Sequence, residues 1–476
     1  MKKKILTKNI YFYHFLLFIT CIVSRVFTSI FYIEDIDSLR FALSLNDYDI
    51  SKLQPHFPGY FVHHIIIKPI YLLTSNIGLS FSIVGGFSIY ICIVYILKIF
   101  SISLKSKEGI FISFFIFFNP LIWLMSNRYM PDIAGLAVLS LSFYYIYIPK
   151  NNHILGPLTF GLLSGLRLSY IPFLLFPILK SFKENPFKNK FILMFVFGIF
   201  IWLTPLILLT GINDFFGIAL NQTNGHFNDF GGTIISNNNF TDRGIHFFRS
   251  IWADGMGGYT QGRSIFSLMI SALLSFFLII IFISRKKLYE KNVFKILFAS
   301  IIIYSIWIFF FQNIIYKSRH ILPIILFLIP VLILSVFHFN EMNKKIRVFL
   351  LSLFLILQGI LTVILSIQHK EPSSIHQVKE FISNSSNTTT IVSIPLINFY
   401  LKTHGISSNF IDIDDQNSEN KIQLKNDHNN IILIGEFLNV IENKKQYSKS
   451  DTTFYHNPYV NKMWSEIKVY TLSEKK

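Results

Sequence analysis

The residues best suited to chemistry stand close together near the start of the chain. Glu34, Asp35 and Asp37 supply carboxylates, and Arg40 and His56 follow them. A carboxylate can accept the proton of an attacking hydroxyl as a general base, and a cation can stabilise a leaving group that gains negative charge. The spacing therefore predicts acid–base chemistry, with Asp37 as the first choice for the base and Asp35 as the second. The alternative for Asp37 is a helix N-cap, because a helical pattern starts at Ser38.

The same residue types recur further along the chain, next to apolar runs. Arg128 and Asp132 form one pair, Arg167 stands alone, and Arg319 and His320 are adjacent. We expect these residues, together with Arg40 and His56, to bind a substrate that carries negative charge. Simpler roles remain open, since Arg167 could extend to lipid headgroups and Arg319–His320 could anchor a helix end.

Composition indicates the elements that must position these side chains. Of the 476 residues, 52% are hydrophobic and only 14% are charged, whereas a soluble protein carries about 25% charged residues. Apolar runs of about 20 residues, the length that spans a bilayer, recur from residue 10 to residue 368. The chain is therefore predicted to be a polytopic α-helical membrane protein. Its net charge of +17 lies in loops between the runs, so topology explains this charge and nucleic acid is not an expected partner.

Basic loops predict the topology, because lysine and arginine concentrate on the cytoplasmic side. If the loops at residues 2–8, 105–107, 180–190, 285–295 and 344–347 are all cytoplasmic, the chain has about eleven spans. The carboxylates after the first span then lie outside. Residues 59–74 are predicted to form an interfacial helix on the outer surface, and the alternative is that they form an ordinary second span. Residues 153–182 are too long for one span, and we expect two short helices that meet at Arg167 on the outer face.

Two domains are expected. Residues 1–368 form the transmembrane domain, with a first outer loop at 32–78 that carries interfacial helices and a second at 211–262. Residues 369–476 are more polar and contain short alternating segments at 390–394 and 431–434, with a helical pattern at 378–382. This composition predicts a small extracytoplasmic α/β domain.

The motifs together resemble those of the GT-C glycosyltransferases, a class that includes the protein O-mannosyltransferases and the aminoarabinose transferase of lipid A. The segment from Asp37 to Ala42 is similar to the aspartate motif in the first outer loop of that class, and 54–60 resembles the proline-rich stretch after it. Residues 128–132 are similar to the second outer aspartate of the class. The segment 161–167 resembles its glycine-rich helix with a terminal basic residue, and 319–323 resembles its Arg-Tyr/His-Leu-Leu-Pro segment before a late span.

The resemblance implies an inverting glycosyltransferase that uses a polyprenyl-phosphate sugar as donor, at the outer face of the cytoplasmic membrane. The partners would be this donor, membrane lipids, and an acceptor that is a glycan, a lipid or a protein. One departure is that Ser38 replaces the acidic residue that usually follows the catalytic aspartate, which leaves both the choice between Asp35 and Asp37 and any dependence on a divalent metal open. The sequence has no zinc-type Cys/His spacing, so no metal ligand is predicted.

Two other classes of membrane protein remain as alternatives. A flippase or transporter for lipid-linked glycans would also have many spans, but it should show inverted repeats and charges at mid-membrane. A polymerase or ligase of surface glycans would concentrate its chemistry in a large late outer loop. The loop 211–262 is long enough for that role, and it contains several charged residues, among them Asp214, His226, Arg243, Asp254 and Arg263.

Overall fold

The chain folds into two compact units. A computed structural model describes residues 2–147, 154–229, 232–236, 239–289, 292–384, 389–413, 430–440 and 447–474. The first unit comprises Met1–Ile30 and Arg40–Ile367, and the second comprises Phe31–Leu39 and Gln368–Lys476. The segment 31–39 was expected to belong to the transmembrane domain, and the structure groups it with the C-terminal unit instead.

Most helices up to residue 368 are separated by short connections, and the longer connections are 45–60, 225–239 and 250–264. Their bounds are α1 (Lys2–Phe27), α2 (Ile36–Ser44), α3 (Phe61–Thr74), α4 (Ile77–Ile99), α5 (Lys107–Phe117), α6 (Pro120–Asn127), α7 (Asp132–Tyr147), α8 (Leu155–Arg167), α9 (Ile171–Glu184), α10 (Lys188–Thr210), α11 (Ile212–Asn224), α12 (Phe240–Arg249), α13 (Ile265–Tyr289), α14 (Asn292–Phe311), α15 (Leu322–Phe337) and α16 (Lys344–Gln368). The predicted polar loop at 211–262 thus contains two helices, α11 and α12.

Length and composition identify this chain as a multi-pass membrane protein. Eight helical segments of the described residues can cross a membrane, or nine if α5 and α6 form one span. The apolar run at 110–125 is not one straight helix, since α5 and α6 meet at an angle of 53°. Asn119 caps α6 and Pro120 opens it, and proline lacks the N–H that would continue α5. The count of eleven spans stays a prediction.

The chain reverses direction after Arg167. Gly161 of α8 packs against the backbone of Phe195 and Gly198 in α10, and Gly165, one turn later in α8, packs against Trp202, one turn later in α10. The helices α8 and α10 therefore run parallel. Because residues 185–187 alone connect α9 to α10, α9 must run in the opposite direction. The segment 155–184 is thus a pair of short helices joined by the 3-10 turn Leu168–Tyr170, as predicted.

Helix α3 crosses the start of α4 instead of running beside it. At one end of α3, the ring of His63 lies 5.6 Å from the ring of Phe81. At the other end, Thr74 Oγ1 lies 2.9 Å from Ser80 Oγ. Two points eleven residues apart on α3 therefore meet the same turn of α4, as expected for a helix that lies across the end of a span. Its position on the outer surface stays a prediction.

The C-terminal unit contains a mixed five-stranded sheet and two helices. The strands are β1 (Thr389–Ser393), β2 (Asn409–Asp412), β3 (Asn430–Ile434), β4 (Tyr447–Tyr455) and β5 (Glu466–Glu474), in the order β2-β1-β3-β5-β4, and the helices are α17 (Ser374–Ser383) and α18 (Pro395–Thr403). Strand β1 is parallel to β2 and β3, whereas β5 is antiparallel to β3 and β4. The alternating segments predicted the strands β1 and β3, although the structure buries both faces of each strand, at residues 390–393 and 431–434. Val392, Ile431 and Leu433 pack in one core.

We predict that the two ends of α4 lie on opposite sides of the membrane. Single substitutions Ser75→Cys and Lys107→Cys place thiols at exposed positions before α4 and at the start of α5. An impermeant maleimide added to intact cells should label position 75, and position 107 should react only after permeabilisation. The native Cys21 and Cys92 are fully buried, so the parent protein is the background control. Labelling of both positions from one side, or in the reverse order, would contradict the topology.

Candidate substrate site

The first unit contains a buried cluster of charge at the ends of three helices. Asp132, the first residue of α7, is fully buried. Its Oδ1 atom lies 2.8 Å from Nη2 of Arg167 and 3.9 Å from Nε of Arg319. All three side chains are at most 8% exposed. Two guanidinium groups thus lie beside one carboxylate in a desolvated site.

Local sequence explains why these three residues meet. Asp132 stands at the N-terminus of α7, where the helix dipole favours a carboxylate. Arg167 ends α8 with φ −154° and ψ 82°, so the chain leaves the helix there. Gly135 faces Arg167 so closely that an added Cβ would lie 2.7 Å from the Cβ of Arg167. This small residue therefore lets α7 and α8 approach and brings Arg167 to Asp132.

Tyrosine side chains surround Arg167. Nη1 of Arg167 donates to the hydroxyl of Tyr60 over 3.3 Å, and Nε2 of His56 lies 3.1 Å from the same hydroxyl. The guanidinium of Arg167 lies 5.7 Å from the ring centre of Tyr170, and the rings of Tyr170 and Tyr304 are 6.3 Å apart. Tyr60, Tyr170 and Tyr304 were not singled out from the sequence. Two of them could have been found from the sequence, because Tyr60 ends the predicted motif 54–60 and Tyr170 stands close to Arg167 in the chain.

The structure brings some of the predicted binding residues together. His56, Asp132, Arg167 and Arg319 are linked by the contacts above. His320 joins them through its backbone, since its carbonyl accepts a hydrogen bond of 2.8 Å from the hydroxyl of Tyr304. The other two predicted binding residues are partly exposed: Arg40 lies in α2 and Arg128 directly follows α6. Their roles stay predictions.

The two candidate bases have different local roles in the segment 31–39. The carboxylate of Asp35 accepts a hydrogen bond of 2.8 Å from the backbone N–H of Ser38, and its carbonyl accepts one of 3.0 Å from the N–H of Leu39. Asp35 is therefore the N-cap of α2. The alternative that Asp37 caps the helix is wrong, because the helix already begins at Ile36. Asp37 lies in the first turn and is 5% exposed.

Charged residues of the second outer loop have structural partners. Arg263 Nη2 lies 2.6 Å from Oδ1 of Asp254, whose Oδ2 accepts a hydrogen bond of 2.5 Å from Ser318. Arg243 donates to the backbone carbonyls of Gly232, Phe309 and Gln312. His226 contacts the carbonyl of Phe311 over 2.8 Å. These contacts hold the loop to the end of α14 and to the turn that carries Arg319, so they favour a supporting role for these loop residues over a separate catalytic centre.

Metal binding receives no new support from the geometry. Within the described ranges, no three His, Cys, Asp or Glu residues are grouped so that they could hold a metal ion. The question of metal dependence therefore stands where the sequence left it.

We predict that the buried carboxylate of Asp132 is required for stability. Asp132→Ala would leave Arg167 and Arg319 without their shared counter-ion, and breaking a buried ion pair costs about 3–5 kcal/mol. Thermal unfolding of the purified protein in detergent should show a large fall in midpoint. The matched control is Asp229→Ala, which removes an exposed carboxylate and should change the free energy of unfolding by less than about 0.5 kcal/mol. Equal midpoints for the two variants would contradict the prediction.

The comparisons with known proteins rest on structure, since no protein-family model and no curated protein sequence matches the chain. A crystal structure of ArnT from Cupriavidus metallidurans bound to undecaprenyl phosphate is similar over 96% of this chain and 97% of that chain, with 10% identity and a TM-score of 0.51. The apo structure of the same ArnT is similar over 99% and 98%, with 10% identity and a TM-score of 0.49. The likeness to the lipid-bound structure covers nearly the whole length of both chains. This chain therefore has the fold of that ArnT.

Proposed function

We propose that this chain is an inverting glycosyltransferase that moves a monosaccharide from a polyprenyl-phosphate donor to an acceptor hydroxyl. The observation that carries the proposal is the buried cluster in which the guanidinium groups of Arg167 and Arg319 both lie beside the carboxylate of Asp132. In a region of low dielectric, hydrogen bonds from a guanidinium to an anion are strong. An anion with several oxygens, such as a phosphate, would accept hydrogen bonds from both arginines.

The arrangement of the guanidinium groups of Arg167 and Arg319 suits a phosphate better than a monatomic anion. A guanidinium presents a planar fork of N–H donors, which matches phosphate oxygens in pairs. Arg167 directs Nη2 to Asp132 and Nη1 to the hydroxyl of Tyr60. Nε of Arg319 lies 3.9 Å from Oδ1 of Asp132, so both guanidinium groups stand beside the same carboxylate. The phosphate would therefore contact Arg167 together with Arg319 or His56.

A lipid-linked phosphate fits the surroundings of the cluster. Asp132 and Arg167 lie at the ends of α7 and α8, which are apolar along their length. A headgroup held at these residues would leave a polyprenyl chain beside apolar helices. The ArnT with the same fold was crystallised with undecaprenyl phosphate, which supports the same class of lipid as the donor here.

Each of the proposed catalytic and binding groups has one role in the reaction. Asp37 takes the proton of the acceptor hydroxyl, and the hydroxyl oxygen attacks the anomeric carbon from the side opposite the phosphate. The new glycosidic bond forms as the bond from the anomeric carbon to the phosphate oxygen breaks, so the configuration inverts. Arg167, with Arg319 or His56, stabilises the charge that develops on the phosphate. Asp37 is preferred to Asp35 because the carboxylate of Asp35 already caps α2.

The proposed location follows from the basic loops. If these loops are cytoplasmic, the first-loop carboxylates face the outside of the cytoplasmic membrane. The acceptor hydroxyl would then belong to a glycan, lipid or protein on that side. Transport is disfavoured as the main activity because the described charges of the cluster lie at helix ends, whereas transporters place their binding sites near the bilayer midplane.

We predict that Asp37→Asn abolishes transfer while Asp35→Asn retains it. The first change removes the base but keeps the shape, and a positioned base contributes about 10²–10⁴-fold to rate. The second keeps the cap, since asparagine caps helices about as well as aspartate. Transfer would be measured with a radiolabelled polyprenyl-phosphate sugar and protein in liposomes. Activity in Asp37→Asn with loss in Asp35→Asn would move the base to Asp35, and activity in both would remove the mechanism.

We predict that Arg167→Ala strongly weakens binding of undecaprenyl phosphate, while Arg167→Lys retains part of it as a point charge. Loss of charge-assisted hydrogen bonds to phosphate should raise the dissociation constant by at least about tenfold, since such bonds are worth about 1.5–3 kcal/mol each. Microscale thermophoresis of the purified protein measures this dissociation constant. Arg285→Ala, which removes an exposed arginine in α13, is the control. Parental affinity in Arg167→Ala would assign this arginine to helix packing alone.

A further inference from the structure

Hydrogen bonds hold the segment 31–39, which carries Asp37, to C-terminal residues of the same unit. The hydroxyl of Tyr400 donates to the carbonyl of Ile33 over 2.8 Å, and the hydroxyl of Tyr32 donates to the carbonyl of His369 over 2.6 Å. Nδ2 of Asn461 donates to the carbonyl of Glu34 over 3.3 Å. Groups from α18, from the residue directly after α16 and from the β4–β5 connection therefore contact a few consecutive residues.

The centre of this fastening is a buried hydrogen bond between the side chains of Glu34 and His369. Nε2 of His369 lies 2.9 Å from Oε1 of Glu34, and the two side chains are 2% and 0% exposed. When the carboxylate is ionised it can only accept hydrogen bonds, and Nε2 is then the donor. Both groups are removed from water, which makes the contact strong and directional.

The pair is coupled to Asp37 through a short and rigid piece of chain. Glu34 is followed directly by Asp35, which caps α2, and Asp37 lies in the first turn of that helix. A displacement of Glu34 would move the cap, and with it the direction in which the first turn starts. Misplacement of a reacting group by about 1 Å can cost about 10²-fold in rate.

We propose that His369 is a positioning residue for the reaction and that the C-terminal unit contributes to transfer by holding the segment 31–39 through Glu34. This inference rests on the proposed function, in which Asp37 is the base. Donor binding then depends on Arg167 and its neighbours in the first unit. The rate of transfer depends on His369 in the second unit.

The test compares full-length His369→Ala and His369→Gln with the parent in liposomes. The alanine variant should lower kcat by about 10–100-fold, with an unchanged dissociation constant for undecaprenyl phosphate. Glutamine restores an N–H donor towards Glu34 and should recover part of kcat. Tyr400→Phe, which removes only the hydroxyl bonded to Ile33, provides a milder second variant and should lower kcat less.

The control is Asn398→Ala, a buried change inside the same unit. Asn398 bonds to Ser393, Ile411 and Asp412 and not to the segment 31–39. It should leave kcat within about twofold of the parent if positioning, and not general stability of the unit, sets the rate. An equal loss of kcat in Asn398→Ala and His369→Ala would overturn the proposal.

Hydrogen–deuterium exchange gives a readout that does not depend on activity. The backbone amides of residues 31–39 should exchange faster in His369→Ala than in the parent. Unchanged exchange, or faster exchange with a parental kcat, would overturn the positioning role. If the parent itself transfers no sugar from any polyprenyl-phosphate donor, the proposed function fails, and with it the role of His369 in transfer, while the exchange result still decides whether His369 holds the segment.

Discussion

The sharing of one buried carboxylate by two arginines is the constraint on which the rest of the first unit depends. Asp132, Arg167 and Arg319 come from the start of α7, the end of α8 and the turn before α15. Each charge would be costly inside a membrane protein without the others. The free energy of burying them is offset only when these three helix ends meet, so the cluster fixes where α7, α8 and α15 begin or end.

Other features of the fold allow this meeting. Gly135 gives Arg167 room beside α7, and Gly161 and Gly165 let α8 pack against the backbone of α10 and the ring of Trp202. The carboxylate of Asp254 holds Ser318, the residue before Arg319. The loop 211–262 thus orients Arg319 through Ser318, and close helix packing orients Arg167. A site assembled in this way is held by rigid elements, as electrostatic stabilisation of a developing charge requires.

Local patterns in the sequence predicted much of the fold. The length of the run 153–182 and the arginine at its centre predicted the reversal at Arg167, because a single span would have buried that charge in lipid. Alternation of apolar residues predicted β1 and β3. The bend between α5 and α6 was missed, although Asn119–Pro120 is a common helix start. Pro120 indicated that a new helix begins there, but the prediction followed the hydrophobicity of the run 110–125 instead.

Contacts between distant parts of the chain could not be predicted in the same way. Glu34 and His369 are 335 positions apart, and neither has a local pattern that points to the other. The grouping of 31–39 with the C-terminal unit follows from such contacts. Similarly, the tyrosines around Arg167 lie at positions 60, 170 and 304, and only the assembled fold relates them. The choice of Asp35 as the helix cap depended on a shift of the helix start by two residues, which sequence patterns do not resolve.

The central claim is that the arginine cluster binds the phosphate of a polyprenyl donor. A structure of this protein with undecaprenyl phosphate bound tests that claim most directly. The account predicts phosphate oxygens at hydrogen-bond distance, about 2.7–2.9 Å, from the guanidinium groups of Arg167 and Arg319. A phosphate bound elsewhere, with neither Arg167 nor Arg319 in contact with it, would contradict that claim.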